Sequence, residues 1–289
     1  MTLMLIDANS LIYRCFYALP PFTNKEKFPT GALYGLSNIF LKILKENRPD
    51  FIAALFDRPE PTFRKKIFDE YKIHRPKAPD ELILQIKEAH NLFELFGIKT
   101  YEKIGFEGDD LIGTAVEKFK NVPDLKIIIL TGDMDNLQLI DNEKILVETF
   151  KKGVSETIIY DEKAVIERYG VLPSQLPEYK ALVGDQSDNI PGAPGIGPKT
   201  ASEIIKKYGS VKNFFEKGVE EKNYQKIFPF KEQVFLSLNL ATIRRDAPIE
   251  INLEELRHKE AAQKTLVAYF KKMGFKAFIK RLEQNNKLF

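Results

Sequence analysis

The sequence predicts an α/β fold: a mostly parallel central sheet with helices on both faces, followed by an all-helical C-terminal region. Three observations lead there. Short, continuous apolar runs at Leu3–Ile6, Phe51–Phe56 and Lys126–Leu130 have the character of strands buried on both faces. Apolar residues between them recur at helical spacing, which makes strand–helix–strand units and a doubly wound sheet. Beyond about residue 161 no run of comparable strength follows, and prolines at 173, 177, 191, 194 and 198 punctuate short helices.

Taken in order, the first run ends directly in Asp7. Leu33, Leu36, Phe40, Ile43 and Leu44 then share one helical face before Arg48-Pro49, and the second run closes on Asp57. From Arg58 to Pro79 the chain is dense in Arg, Lys and Pro and poor in aliphatics, which reads as an exposed basic excursion. Leu82, Ile86, Leu92, Phe93 and Phe96 restore the helical period before Gly97. The third run reaches Asp133 through Thr131-Gly132. Leu146–Phe150 and Thr157–Tyr160, joined by Lys151-Lys152-Gly153, predict an edge hairpin. A boundary near 180 divides residues 1–180 from 181–289. In doubly wound sheets ligands bind outside the carboxyl ends of the strands, so three strand-end aspartates should converge on one crevice.

Composition excludes several classes. The 289 residues contain one cysteine, Cys15, so no internal disulfide can form and a secreted disulfide scaffold is ruled out. The first residues carry no basic segment before Asp7, so a signal peptide is not expected, and no apolar run approaches the roughly 18 residues of a membrane span. Cytoplasm is the expected location.

The strongest chemical signal is acidic. Besides Asp7 and Asp57 there are Glu107-Gly-Asp109-Asp110, Asp133-Met-Asp135 and Asp185-Gln-Ser-Asp188. Alone, Asp109-Asp110 also fits ordinary capping of the helix that follows, and Asp133 and Asp135 also fit a solvated turn. Together they fit a metal cluster better. Two carboxylates about 4 Å apart repel by roughly 4 kcal/mol at an effective dielectric near 20, so such a cluster calls for cations. Hard oxygen donors without cysteine or histidine select Mg²⁺ or Mn²⁺ over zinc. His74, His90 and His258 are scattered and fit no ligand spacing. Setting nine carboxylates aside from the 41 acidic residues leaves 32, against 44 basic ones. That is a basic surface around an acidic hole, suited to a polyanion.

Two further stretches carry charge logic. Pro191-Gly192-Ala-Pro-Gly195-Ile-Gly197-Pro-Lys199-Thr200-Ala201 is a tight glycine turn opening a helix, where backbone N–H groups and Lys199 can meet a phosphate. Its spacing is neither that of a Walker A loop nor that of a dinucleotide fold. The basic excursion sets Tyr71 beside Lys72 and Arg75, an aromatic among cations, as single-stranded nucleic-acid platforms require.

These residues resemble the 5′-nuclease family: the 5′→3′ exonuclease domain of bacterial DNA polymerase I, phage 5′-exonucleases and eukaryotic flap endonucleases. Matching stretches are Ile6-Asp-Ala-Asn-Ser, Phe56-Asp57, Phe63-Arg64, Tyr71-Lys-Ile-His-Arg-Pro, Glu107-Gly-Asp-Asp, Thr131-Gly-Asp-Met-Asp, Leu240-Ala-Thr-Ile and the long segment from Gly184 to Ala201. The resemblance covers residues 3 to about 275. It implies a PIN-like 5′-nuclease core with a basic helical arch at about 58–100 and a C-terminal helix-hairpin-helix region. It implies that Asp7, Asp57, Glu107, Asp109, Asp110, Asp133, Asp135, Asp185 and Asp188 bind two or more divalent ions, Mg²⁺ or Mn²⁺, directly or through water. By the same resemblance Lys72 and Arg75 polarise the scissile phosphate, Tyr71 stacks near the cleaved nucleotide, and Arg64 contacts DNA. Gly192, Gly195, Gly197, Lys199 and Thr200 would grip the duplex backbone, with K⁺ as a further ligand of the hairpin. Two departures are Gly108, where many relatives have alanine, and Met134, where many have lysine.

The expected substrates are 5′ flaps, nicked or branched duplexes and RNA primers on DNA, cut by a monomer that serves a separate DNA polymerase. The chain ends about where a polymerase I nuclease domain would hand over, so it resembles a free-standing version of that domain. Two other readings use the same features: a non-catalytic junction binder, and an RNA-directed nuclease on a related carboxylate scaffold.

Overall fold

Alternation along three buried strands decides the architecture. In the computed structural model, which describes residues 1–153, 156–259 and 261–284, the sheet has the order β3-β2-β1-β4-β5-β6. The strands are β1 (Thr2–Asp7), β2 (Phe51–Phe56), β3 (Lys99–Glu102), β4 (Lys126–Leu130), β5 (Ile145–Lys152) and β6 (Glu156–Tyr160). All neighbours are parallel except β5 and β6, which form the expected antiparallel edge hairpin. Because successive side chains point to opposite faces, Leu3 and Leu5 enter one core and Met4 and Ile6 the other. Both faces are covered, which is why these runs show no polar alternation.

Helices α1 (Ala8–Ala18), α2 (Gly31–Glu46), α3 (Phe63–Ile67), α4 (Asp80–Leu95) and α5 (Gly108–Phe119) accompany the first four strands. One face of the sheet packs on α1, α2 and α4; Cys15 lies in this core, where burial pushes its thiol up to about 12. The other face packs on α5 and on helices from the C-terminal half: α6 (Glu162–Tyr169), α7 (Leu176–Val183), α8 (Pro198–Tyr208), α9 (Val211–Lys217), α10 (Tyr224–Ile227) and α11 (Lys231–Ala241). The last two helices, α12 (Gln263–Met273) and α13 (Lys276–Gln284), return to the first face. There Leu266, Phe270, Phe275, Phe278 and Leu282 join Phe40, Phe93 and Phe96. The chain therefore closes on its own beginning, and the C-terminal region serves both cores.

One expectation needs correction, and one strand is an addition. The arch expected over about 58–100 is shorter, because α4 buries Leu82, Ala89, Leu92 and Phe93 against the sheet and so belongs to the core. The remaining excursion, residues 57–79, holds only the short helix α3 and turns, and Arg64 and Tyr71 within it are buried. β3, Lys-Thr-Tyr-Glu, was not anticipated. It is a four-residue edge strand with no aliphatic run to announce it.

Candidate active site

The carboxyl ends of β1, β2 and β4 bring Asp7, Asp57 and Asp133 to one crevice, and the N-terminus of α5 adds Asp109. Neutral groups hold all four. Asp7 caps α1, accepting from Ser10 N at 3.0 Å and from the Thr131 hydroxyl at 2.6 Å. Thr131 Oγ1 in turn accepts from Asp133 N at 2.8 Å, so one hydroxyl ties two strand ends together. Asp57 accepts from Gly108 N at 2.6 Å, Asp133 from Asp135 N at 2.9 Å, and Asp109 from the Asn136 amide at 2.7 Å.

Burial and mutual repulsion show in the protonation of these groups. Burial lifts the Asp7 carboxyl to about 7, helped by the neighbouring Asp57 charge. Burial, with the charges of Asp7 and Asp133, pushes Asp109 well above the carboxylate range. Asp57 is raised by burial too, although Lys72 and Arg75 offset part of it. A bound cation would offset this repulsion.

The remaining acids face a different partner set. Glu107 receives Lys72 Nζ at 2.8 Å and Thr62 Oγ1 at 3.2 Å. Burial would raise Glu107, but Lys72 and Arg64 overcome it and hold the group below its ordinary value. Asp188 receives Arg75 Nη2 at 2.5 Å and the Tyr71 hydroxyl at 3.0 Å. Lys180, on α7, bridges Asp135 and Asp185, reaching Asp185 Oδ2 at 2.7 Å. Burial leaves Asp135 raised to about 6, whereas at Asp185, which is less buried, Lys180 wins and the group is lowered. The crevice thus has one half compensated by built-in cations and one half that is not. Among the described residues no three acidic, imidazole or thiol side chains are already gathered closely enough to hold an ion. The acids share a crevice without yet sharing a point.

A hard divalent cation suits this donor set: repelling carboxylate oxygens with no thiol or imidazole among them. Asp7, Asp57, Asp109 and Asp133 are the side chains best placed to take it, since only neutral donors would have to share their oxygens.

Three expected site residues sit elsewhere. Asp110 is 0% exposed and accepts from Arg64 Nη1 and Nη2, each at 2.8 Å, from Glu107 N at 3.0 Å and from Arg244 N at 2.9 Å. Both its oxygens are committed, two of the four bonds coming from a buried guanidinium, which gives it a structural role in this arrangement. Arg64 is 2% exposed and also donates to the Leu240 and Thr242 carbonyls, which leaves its guanidinium no face for DNA. Tyr71 is 4% exposed, its hydroxyl between Glu107 and Asp188, so no ring face is open to a base. The exposed aromatics beside the acids are Tyr13 and, 65% exposed, Tyr17 on α1. With Ser10, Arg14, Gly132 and Gly153 they line a cavity of about 390 Å³. The sequence does carry a sign of them: they are four apart on a helix whose opposite face holds Leu11, Ile12 and Cys15.

Lys72 and Arg75 do reach the acids. Lys72 adopts φ 56°, a left-handed conformation that a lysine takes only when its surroundings enforce it. Its N–H donates to the Asp188 carbonyl at 2.9 Å, which fixes the turn and aims Nζ inward.

The glycine segment forms a loop between α7 and α8, so helix, hairpin and helix stand in the expected order. Gly192 has φ 63°, and a Cβ there would meet Gly184 N at 2.4 Å; only glycine fits. Gly195, Gly197 and Lys199 are exposed, Thr200 is half-buried in the first turn of α8, and no side chain caps that helix. The same loop carries Asp185 and Asp188, closed by paired bonds between Asp185 and Ile190. No helix among the described residues is long and apolar enough to cross a membrane.

The family model for the 5′-3′ exonuclease N-terminal resolvase-like domain matches residues 2–170, and that for the 5′-3′ exonuclease C-terminal SAM fold matches residues 171–264. Among curated relatives, the DNA polymerase I of Caldicellulosiruptor bescii is 42% identical over 98% of the chain, which spans 33% of that enzyme. The 5′-3′ exonuclease of Aquifex aeolicus is 37% identical over 98% of the chain and 96% of its own length. Among solved structures, phage T5 5′-exonuclease with bound zinc ions superposes with a TM-score of 0.68 at 25% identity, over 83% of this chain and 89% of that one. The catalytic core of Rad2 in complex with DNA substrate shares the fold at a TM-score of 0.56 and 18% identity, over 94% and 87% of the two chains.

Proposed function

From the premise that the chain belongs to the 5′-3′ exonuclease family, we propose that it is a divalent-metal-dependent, structure-specific 5′-nuclease. It hydrolyses a phosphodiester near a 5′ end or flap junction and leaves a 5′-phosphate and a 3′-hydroxyl. One observation carries this reading: four mutually repelling carboxylates held by neutral donors lie beside a lysine–arginine pair.

Asp7, Asp57, Asp109 and Asp133 would hold two or more Mg²⁺ or Mn²⁺ ions, which would supply Lewis acidity for phosphodiester hydrolysis. The chain's own residues do the rest. Lys72 and Arg75 exchange Glu107 and Asp188 for the scissile phosphate and offset the charge that grows on it. Gly192, Gly195 and Gly197 let the backbone approach duplex phosphates, and Lys199 and Thr200 at the open N-terminus of α8 complete a grip without base readout. K⁺ at this hairpin would add to that grip. Substrates of this shape are displaced 5′ flaps, nicked or branched duplexes and RNA primers on DNA. The protein would work as a cytoplasmic monomer beside a DNA polymerase.

The direct test uses a labelled 5′-flap duplex with Mg²⁺ and with EDTA. Cutting at the junction with Mg²⁺ alone is the expected result. Tight, salt-dependent binding without cleavage, in Mg²⁺ and again in Mn²⁺, would make the protein a junction binder instead. An RNA flap cut much faster than a DNA flap would favour an RNA-directed nuclease.

Lys72→Ala should lower the single-turnover rate about a hundredfold, as loss of one phosphate-stabilising group does, with Kd for the flap changed only a few-fold. A loss confined to Kd would reduce Lys72 to a phosphate clamp.

A further inference from the structure

Asp133 and Asp135 begin a 3₁₀ turn, Met134–Leu139, whose third residue is Asn136. Asn136 is 0% exposed, among the buried Leu137 and Leu139 of its own turn. Its Nδ2 donates to Asp109 Oδ1 at 2.7 Å, and its Oδ1 has no partner at all. A buried amide with one end unsatisfied is a liability that a stability-driven core would replace by an aliphatic side chain. What it does supply is the one hydrogen bond that the described residues direct at the Asp109 carboxylate.

We infer that Asn136 is a positioning residue that sets Asp109 for cation binding; this rests on the nuclease reading above. The choice of an amide has a physical reason. Lysine and arginine hold Glu107, Asp135, Asp185 and Asp188, and each brings a charge that competes with an incoming ion. An amide orients a carboxylate oxygen without neutralising it. Asp109 is thereby oriented without a competing cation beside it, and its position relative to Asp7 and Asp133 no longer depends on the repulsion among them. Outer partners of this kind commonly govern metal affinity by ten- to a hundredfold.

Two variants with opposite effects on packing test the role. Asn136→Leu fills the site and removes the unsatisfied oxygen, so Tm in EDTA should be unchanged or higher. Asn136→Ala leaves a cavity, so its Tm should fall. Both should bind Mn²⁺ about tenfold more weakly by calorimetry, and both should need about tenfold more Mn²⁺ for half-maximal flap cleavage, with KM for DNA unchanged. Wild-type affinity in the leucine variant, or losses of affinity that follow Tm from one variant to the other, would overturn the assignment. If wild-type protein itself neither binds Mn²⁺ nor cuts, the nuclease reading fails, and this one with it.

Discussion

Asp133→Asn is expected to slow flap cleavage about a thousandfold or more while leaving Tm within a few degrees of wild type; Asp110→Asn is expected to do the reverse. The two side chains are of one kind, and the resemblance drawn from the sequence marks both as ion ligands. Their surroundings separate them. Asp133 accepts one backbone N–H and lies near Asp7 and Asp109, which are already raised by burial and repulsion. Removing its charge relieves that repulsion, so folding should not suffer, whereas a cation loses a ligand that nothing replaces. Among the described residues, Asp110 is the one carboxylate bidentate to the buried Arg64. Neutralising it breaks a buried ion pair and leaves the guanidinium only Glu107, at 3.6 Å, as a carboxylate partner; about 3–5 kcal/mol of lost stability is the usual scale for such a break. Single-turnover rates at saturating Mg²⁺, set beside thermal unfolding in EDTA, decide the matter. A stable but inactive Asp110→Asn would return that residue to the ion-binding set.

Truncation after residue 264 should abolish cooperative unfolding, even though that is where the match to the family's C-terminal model ends. The deletion takes away Leu266, Tyr269, Phe270, Met273, Phe275, Phe278 and Leu282, all buried against the first core. Tyr34 would lose ring contacts to Phe275 at 5.2 Å and Phe278 at 4.5 Å, and Phe96 its contact to Phe270 at 6.3 Å. At about 1.5–3 kcal/mol for each large apolar side chain removed from water, the total is about 10–20 kcal/mol as an upper estimate. Whole-domain stabilities are about 5–15 kcal/mol. The truncated chain should therefore show a broad, featureless melt by circular dichroism and bind a hydrophobic dye at room temperature. A sharp transition within about 10 °C of wild type would mean that α1, α2, α4 and the sheet hold this face unaided.

Sequence alone was enough for the strands that are buried on both sides, because burial of every residue leaves an unbroken apolar run. It was not enough for β3, whose Lys-Thr-Tyr-Glu pairs on one side only and keeps polar residues outward. Strand-end logic brought Asp7, Asp57 and Asp133 together correctly, since chain direction in a parallel sheet puts those ends on one side. Spacing could not tell Asp109 from Asp110. They are adjacent on a helix, where one step is about 100° of rotation, enough to send one side chain to the crevice and the other to Arg64. Lys180 was passed over because a lysine on a short helix reads as solvated, and only the fold puts it between Asp135 and Asp185. Arg64 and Tyr71 looked like surface groups for the same reason: a segment rich in Arg, Lys and Pro does not reveal which of its members turn inward.

The loop from Gly184 to Gly197 carries acids at one end and the glycine turn at the other, and its middle is pinned to its start. Gly192 packs on Gly184, and Gln233 and Ser237 of α11 hold the Gly192 backbone from beneath at 2.6 and 3.1 Å. If the hairpin grips the duplex as proposed, the span between grip and acids is a fixed caliper. Incision would be measured as a length from the seated duplex, indifferent to which bases lie in between, and flaps of any sequence would be trimmed to the same mark.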